Sequence, residues 1–309
     1  MKKDHVAVLM GGWSSEREVS LSSGQGVVQA LKELGYNVTP IDVTLDLPSL
    51  VAQLSPPQRP DVVFNALHGV GGEDGVIQGV LEMLQIPYTH SGVTASALAM
   101  NKILSRQIFE RHSIPVPPWV IVPFEQLQRH HPMDYPYVIK PIGEGSSRGV
   151  TLVFNQTDYE KAIHEWQFGE HVLIEQYIPG REIHVAIVND KAVGAIEIRP
   201  VSGFYDYTAK YTLGQADHIM PAPLSQTAHQ QALEIAERAH QLLGCKGVSR
   251  ADFRYHDLAD DPVFYLLEMN TQPGMTPLSL VPEITTYYGL SYNNLVQQLI
   301  ETASCDYKV

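Results

Sequence analysis

Two cysteines in 309 residues, Cys245 and Cys305, exclude a disulfide framework and any cysteine-rich zinc site. No apolar run approaches the roughly 20 residues needed to span a bilayer. The apolar run over residues 6–10, behind Lys2 and Lys3, is too short for a signal peptide. Positive charge is scarce as well: 21 Lys and Arg stand against 34 Asp and Glu, for a net charge of −13. That balance argues against a nucleic acid or an anionic membrane as partner, while leaving room for a local basic pocket that takes a phosphorylated ligand. The histidines are scattered and form no zinc-ligand spacing, which lowers a zinc hydrolase as a reading. What is present, 44% apolar and 18% charged residues, fits a globular cytoplasmic protein with a core large enough for two or three subdomains.

The first hundred residues alternate between strand and helix. HVAVL, NVTPIDV and DVVFNAL read as strands. VVQALKELG reads as a helix closed by Gly35, and DGVIQGVLEMLQI as a second helix ending before Pro87. Strands separated by helices imply right-handed crossovers and a mostly parallel sheet. TASALAMNKILSRQIFERHSI reads as one longer helix, broken by PVPP. After it come the short strands YPYVIKP, GVTLV and HVLIEQYI, with DYEKAIHEWQ as a helix between them. Beyond Arg181 the strands REIHVAIV and KAVGAIEIRP precede a polar aromatic loop. The helix TAHQQALEIAERAHQLLG, the strands VSRADFRY and PVFYLLEMN, and a mainly helical end complete the chain. The expected fold class is α/β in three sequential units: an open parallel domain over 1–98, then α+β units over 99–180 and 181–309.

Two glycine-rich stretches invite a nucleotide reading. GGWSSE after the first strand does not supply the GxGxxG turn of a dinucleotide-dependent oxidoreductase. KPIGEGSSRGV lies between two strands and reads as a hairpin loop. Gly143, Gly145 and Gly149 permit close backbone approach, and Ser146, Ser147 and backbone amides offer donors. Lys140 ends the preceding strand within reach of a phosphate. By itself the loop fits a phosphate cradle and an ordinary flexible hairpin equally well. Near the C-terminus, period 2 puts Arg250 and Asp252 on one strand face, and Glu268 and Asn270 on one face of the next. Phe264 and Leu266 are expected to share the face of Glu268 and Asn270. If the strands pair, two carboxylates, an amide oxygen and a guanidinium converge; such hard oxygen ligands suit Mg²⁺ or Mn²⁺ on phosphates. A surface ion pair worth about 0–1 kcal/mol is the bland alternative. Lys140 and the hairpin tip the balance toward metal and nucleotide.

The order Lys102, Lys140, GEGSS, LIEQYIPGRE, FYDYTAKY, SRADF and LLEMNTQPGMT resembles the ATP-grasp superfamily, and within it the D-alanine–D-alanine ligase family. GGWSSEREVSLSSG and ALHGVGGEDG extend the similarity over nearly the whole chain. The resemblance implies an ATP-grasp fold whose two α+β subdomains sandwich ATP. It also implies ATP-dependent joining of two D-alanines through an acyl phosphate, two Mg²⁺ or Mn²⁺ ions, a homodimer, and a place in building the peptidoglycan precursor. A nucleotide-binding module without catalysis is the rival; the presence of both metal-ligand and acceptor-site residues favours an enzyme.

Residue by residue, the resemblance puts Lys102, Lys140 and Lys210 on the ATP phosphates. Glu175 and Glu182 are implied to bond the adenine amino group and the ribose, with Ile178 near the base; Gln176 stands where many relatives have lysine. Asp252, Glu268 and Asn270 are the implied metal ligands, and Arg250 the partner of the oxyanion. Glu16 is implied to hold the ammonium of the first D-alanine in a trio with Ser146 and Tyr211, while Arg17 and Glu18 read as structural. His68, at the end of a buried strand, is implied to orient the first carboxylate, against the plainer reading of a structural histidine. Gly274, Ser279 and Leu280 are implied to form the acceptor pocket, where Pro277 and Leu278 depart from the family's usual Ser-His. SGFYDYTAKYTLG resembles the family's mobile loop over the site. Tyr211 within it implies an amine acceptor rather than a hydroxyl one.

Overall fold

Strand β1 (His5–Gly11) is buried from Val6 onward and therefore takes the centre of a parallel sheet. The computed structural model describes residues 4–201 and 214–307 of the chain. Around β1 lie β2 (Asn37–Val43) and β3 (Val62–Asn65), in the order β2-β1-β3, both parallel to it. Helix α1 (Arg17–Glu33) crosses from β1 to β2, burying Val19, Ser23, Val27, Ala30 and Leu31 along one side. It begins ten residues before the expected VVQALKELG segment, and Gly35 follows its end at φ +84°, the left-handed residue that stops the helix. Arg17 forks onto Asp42 of β2, the structural role expected of it. Helices α2 (Leu47–Gln53) and α3 (Val76–Leu84) complete this part.

The segment expected as one helix is two, α4 (Val93–Met100) and α5 (Lys102–Arg111). Asn101 separates them: its backbone is extended at ψ 100°, and its side chain accepts from the N–H groups of Ile103 and Leu104. An Asn that offers the backbone a cap competes with continuing the helix, and apolar periodicity does not reveal the break.

A four-stranded antiparallel sheet follows, in the order β4-β7-β5-β6. It is built from β4 (Trp119–Pro123), β5 (Tyr137–Lys140), β6 (Thr151–Val153) and β7 (His171–Gln176), with α6 (Phe124–Leu127) and α7 (Gln156–Glu165). Pairing of β5 with β6 makes KPIGEGSSRGV the expected hairpin loop.

The third sheet is antiparallel, ordered β10-β9-β8-β11-β12: β8 (Arg181–Val188), β9 (Lys191–Pro200), β10 (Ala216–Ile219), β11 (Val248–His256) and β12 (Val263–Asn270). Helix α8 (Gln226–Leu243) covers one face, its Ala228, Ala232, Ala236 and Ala239 allowing close approach. Strand β8 shows how the sheet serves two purposes. Ile183, Val185 and Ile187 face α8 and join a core with α4 and α5. Ala186 and Val188 face the other way and join a core with β1, β3, α1, α9 (Leu280–Tyr287) and α10 (Tyr292–Thr302). Glu182 and His184 continue that second face toward the cleft. The parallel sheet and the third sheet therefore share one core, while the four-stranded sheet has its own.

His90 supplies a pH-dependent element. It is 3% exposed, sits at φ +73°, and shares a 2.8 Å hydrogen bond between Nδ1 and the Thr89 hydroxyl. Burial, aided by the nearby His68, pushes its pKa down to about 3. Between that value and the unfolded 6.5 the unfolded chain binds the extra proton, so stability falls as pH falls. From pH 7 to pH 5 this one group accounts for a loss of about 2 kcal/mol. His90→Asn, whose amide can reach Thr89 and which tolerates a left-handed backbone, is expected to flatten that slope in urea titrations at the two pH values. An unchanged slope contradicts the assignment.

Candidate active site

The carboxyl-side ends of β1 and β3, the β5–β6 hairpin and the strands β8, β11 and β12 surround one cleft. Its inner cavity is lined by Glu16, His68, Ser146 and Arg250, by Lys102, Glu268 and Asn270, and by Gly274, Ser279 and Leu280. An outer cavity of about 360 Å³ is lined by Lys140, Glu175, Ile178 and Glu182. Between them a smaller space is bordered by Asp252. It shares Lys140 and Glu182 with the outer cavity, and Lys102 and Glu268 with the inner one. Every site residue expected from sequence lies on this continuous path except Lys210 and Tyr211, which, with most of the SGFYDYTAKYTLG loop, lie outside the described residues.

Strand register creates the centre. Arg250 pairs with Asn270 and Asp252 with Glu268 across β11 and β12, so the condition on which the sequence reading made these groups converge is met. The expected sharing of a face by Phe264, Leu266, Glu268 and Asn270 is incorrect. A bulge at Leu267 shifts the register, so Phe264, Leu266 and Met269 enter the α8 core while Glu268 and Asn270 face the cleft. On the far side of β11, His184 of β8 lies opposite Asp252, and Glu182 opposite Arg254.

Asp252 is held from two sides. Arg250 donates to both its oxygens at 2.6 and 2.7 Å, and His184 Nδ1 lies 2.7 Å from Oδ1. Burial by itself would raise its pKa, but the two cationic partners outweigh it and hold the carboxyl well below the usual range. His184 Nε2 lies 3.2 Å from Glu182, and the two carboxylates overcome burial to raise the imidazole's pKa. Asn270 Oδ1 accepts from the Gln272 N–H at 2.8 Å. Among the described residues no three His, Cys, Asp or Glu side chains form a metal cage. Two carboxylates and an amide oxygen nevertheless suit a Mg²⁺ that draws its other ligands from phosphates and water.

A second charged cluster underlies the outer cavity. Lys140 and Arg106 both bond the Glu175 carboxylate, one on each oxygen, and all three are buried. Burial lowers the Lys140 pKa, offset in part by Glu175. The Glu175 pKa is also lowered, since Arg106 and Lys140 outweigh the opposite effect of burial. Lys102 donates to the Glu144 carbonyl at 2.6 Å and lies 3.6 Å from Glu268.

At the inner end Ser146 Oγ donates to Glu16 Oε2 at 2.5 Å. Ser146 and Ser147 adopt left-handed φ of +49° and +57°, an uncommon backbone that fixes this contact. Of the three hairpin glycines, Gly145 is the one against Glu16: a Cβ there would lie 2.8 Å from Oε1, whereas Gly143 faces open space and Gly149 packs on Phe168. His68 lines the cavity with Nε2 3.0 Å from Ser23 Oγ and Nδ1 3.3 Å from Glu73. Ser279 precedes α9, its Oγ within 2.8 Å of Thr276 Oγ1, and a Cβ on Gly274 would collide with it at 2.5 Å.

Sequence reasoning missed Arg106 and His184. Both had a signal: Arg106 stands four residues after Lys102 on one helix face, and His184 two residues after Glu182 on one strand face.

Two antiparallel sheets closing on a charged cleft beside a parallel α/β domain define an ATP-grasp enzyme. The sequence pattern described as "D-ala D-ala ligase C-terminus" matches residues 108–301, and that described as "D-ala D-ala ligase N-terminus" matches 5–49 and 46–91. The chain belongs to the D-alanine–D-alanine ligase family. It is 50% identical over 306 residues to the D-alanine–D-alanine ligase of Parvibaculum lavamentivorans, covering 98% of each chain. It is likewise 50% identical over 302 residues to that of Rhodospirillum rubrum, covering 97% of this chain and 98% of the relative. A solved D-alanine–D-alanine ligase from Bacillus anthracis superposes with a TM-score of 0.82 at 32% identity over 96% of both chains. The same enzyme complexed with ATP gives 0.79 at 31% identity, over 98% of this chain and 97% of that one.

Removing the shared carboxylate leaves two buried cations without a partner. Glu175→Ala is expected to cost about 3–5 kcal/mol of stability at pH 7, read from urea unfolding. A loss under 1 kcal/mol contradicts the buried cluster.

Proposed function

We propose that the protein joins two D-alanines into D-alanyl-D-alanine, converting ATP to ADP and phosphate, for the peptidoglycan precursor. The observation that supports this most is the unbroken cleft: an outer cavity that mixes Val138, Leu152, Ile178 and Leu267 with charged side chains, a zone of lysines and carboxylates, and an inner cavity ending on Glu16 and on the start of α9. A nucleotide, its phosphates and two small zwitterions need that order of surfaces.

In this reading the adenine lies by Ile178, with Glu175 near its amino group and Glu182 on the ribose. Lys102, Lys140 and Lys210 contact the phosphates. Asp252, Glu268 and Asn270 hold two Mg²⁺ or Mn²⁺, which when bound neutralise phosphate charge. Glu16, braced by Ser146 and Tyr211, takes the ammonium of the first D-alanine, and His68 orients its carboxylate. A carboxylate oxygen attacks the γ-phosphorus and ADP leaves, giving an acyl phosphate. The amine of the second D-alanine, its carboxylate at Gly274, Ser279 and Leu280, attacks the carbonyl carbon and loses a proton. Arg250 stabilises the oxyanion, and phosphate departs with the original carboxylate oxygen. The first-turn N–H groups of α9 add a favourable end for the acceptor carboxylate. Supply of ATP sets the reaction in the cytoplasm, and the family resemblance supports a homodimer. No described helix is long and apolar enough to cross a membrane.

A coupled assay with ATP, Mg²⁺ and D-alanine should release ADP only when D-alanine is present and yield the dipeptide by mass. ADP release independent of D-alanine, or none, contradicts the reading. Gly145→Ala offers a sharper probe, because the backbone accepts alanine while its methyl group crowds Glu16. It is expected to raise KM for D-alanine at least about tenfold with little change in KM for ATP. Equal effects on both substrates would sink the assignment of Glu16.

A further inference from the structure

Arg106 is 0% exposed on the second turn of α5, four residues after Lys102, so both cations rise from the same face of one helix. Its Nη2 bonds one oxygen of Glu175 while Lys140 Nζ bonds the other. The Nε and Nη1 groups are buried and have no hydrogen-bond partner among the described residues. A guanidinium placed only to stabilise the fold would ordinarily have those donors satisfied.

Charge counting gives the arrangement a purpose. Glu175 and Lys140 alone would form a neutral pair with no charge left over for a triphosphate. A second cation on the same carboxylate leaves one net positive charge in a desolvated cluster, and arginine cannot shed its proton to cancel it.

We propose that Arg106 is a positioning residue for the phosphate site: by sharing Glu175 with Lys140 it leaves the cluster one positive charge in excess and holds Lys140 in place toward the nucleotide phosphates. The proposal rests on the nucleotide reading of the cleft. Arg106 touches no substrate and acts through Glu175.

The test compares Mg²⁺-ADP with adenosine, which lacks phosphates, by titration calorimetry on the full chain. Arg106→Gln should weaken ADP about tenfold and adenosine less than about twofold, with KM for ATP rising and kcat little changed. Arg106→Lys, which keeps the charge, should restore the ADP-to-adenosine affinity ratio to within about threefold of the wild type. Equal weakening of both ligands, or an unchanged ratio, overturns the proposal and leaves a purely structural ion pair. If Arg106→Gln does not fold, Arg106→Lys still decides, because a tenfold fall in its ratio despite the retained charge contradicts the account. Wild-type protein that binds neither ATP nor ADP would instead overturn the nucleotide reading itself.

Discussion

The antiparallel pairing of β11 with β12 is the constraint on which the site depends. It sets Arg250 against Asn270 and Asp252 against Glu268, joining residues far apart in sequence into one patch. Because side chains alternate between faces, a slip of β12 by one residue would turn Glu268 and Asn270 into the α8 core while Arg250 and Asp252 stayed in place. Ala251 and Met269, paired on the opposite face, are anchored in that core and resist the slip. On the other side of β11, strand β8 adds His184 and Glu182 to the same surface. The placement of Arg250, Asp252, Glu268, Asn270, His184 and Glu182 on one surface is thus set by the register of three strands.

A chain with a net charge of −13 concentrates Lys102, Arg106, Lys140, Arg250 and Arg254 around one cleft. Burying ions is costly unless they are paired. Here each of these cations is paired with Glu175, Glu182, Asp252 or Glu268, from hydrogen-bond contact out to an ion-pair distance of 3.8 Å. Acidic residues thus hold the basic ones in place before an anion arrives. The overall acidity is consistent with a small anionic ligand enclosed in a pocket, in contrast to the broad basic face that a nucleic acid would demand.

Much of this was legible in the sequence because strand period and hairpin chemistry are local. The shared faces of Arg250 with Asp252 and of Glu268 with Asn270, the loop after Lys140, and the parallel opening sheet follow from alternation and turn residues, while the pairing of the two strands entered only as a condition. What escaped has physical causes. The bulge at Leu267 reverses side-chain parity without any glycine or proline to announce it. Asn101 divides a helix through a side-chain cap, which apolar periodicity does not register. Strand β4 lies directly after PVPP and strand β10 shortly after residues 202–213, which lie outside the described ones, and both are short strands whose formation depends on a neighbour to pair with. Arg106 reads as an ordinary surface arginine until the four-stranded sheet brings Glu175 against it. The shared core of the first and third sheets is a long-range property that no window of sequence contains.

The central chemical claim is that one carboxylate oxygen of the first D-alanine passes to the γ-phosphoryl group. It can be followed with D-alanine carrying ¹⁸O in its carboxylate. Mass analysis of the phosphate released during dipeptide formation should find one ¹⁸O atom per phosphate for each acyl phosphate consumed. Unlabelled phosphate accompanying normal dipeptide formation would contradict the acyl-phosphate route and, with it, the roles proposed for Arg250 and for Asp252, Glu268 and Asn270.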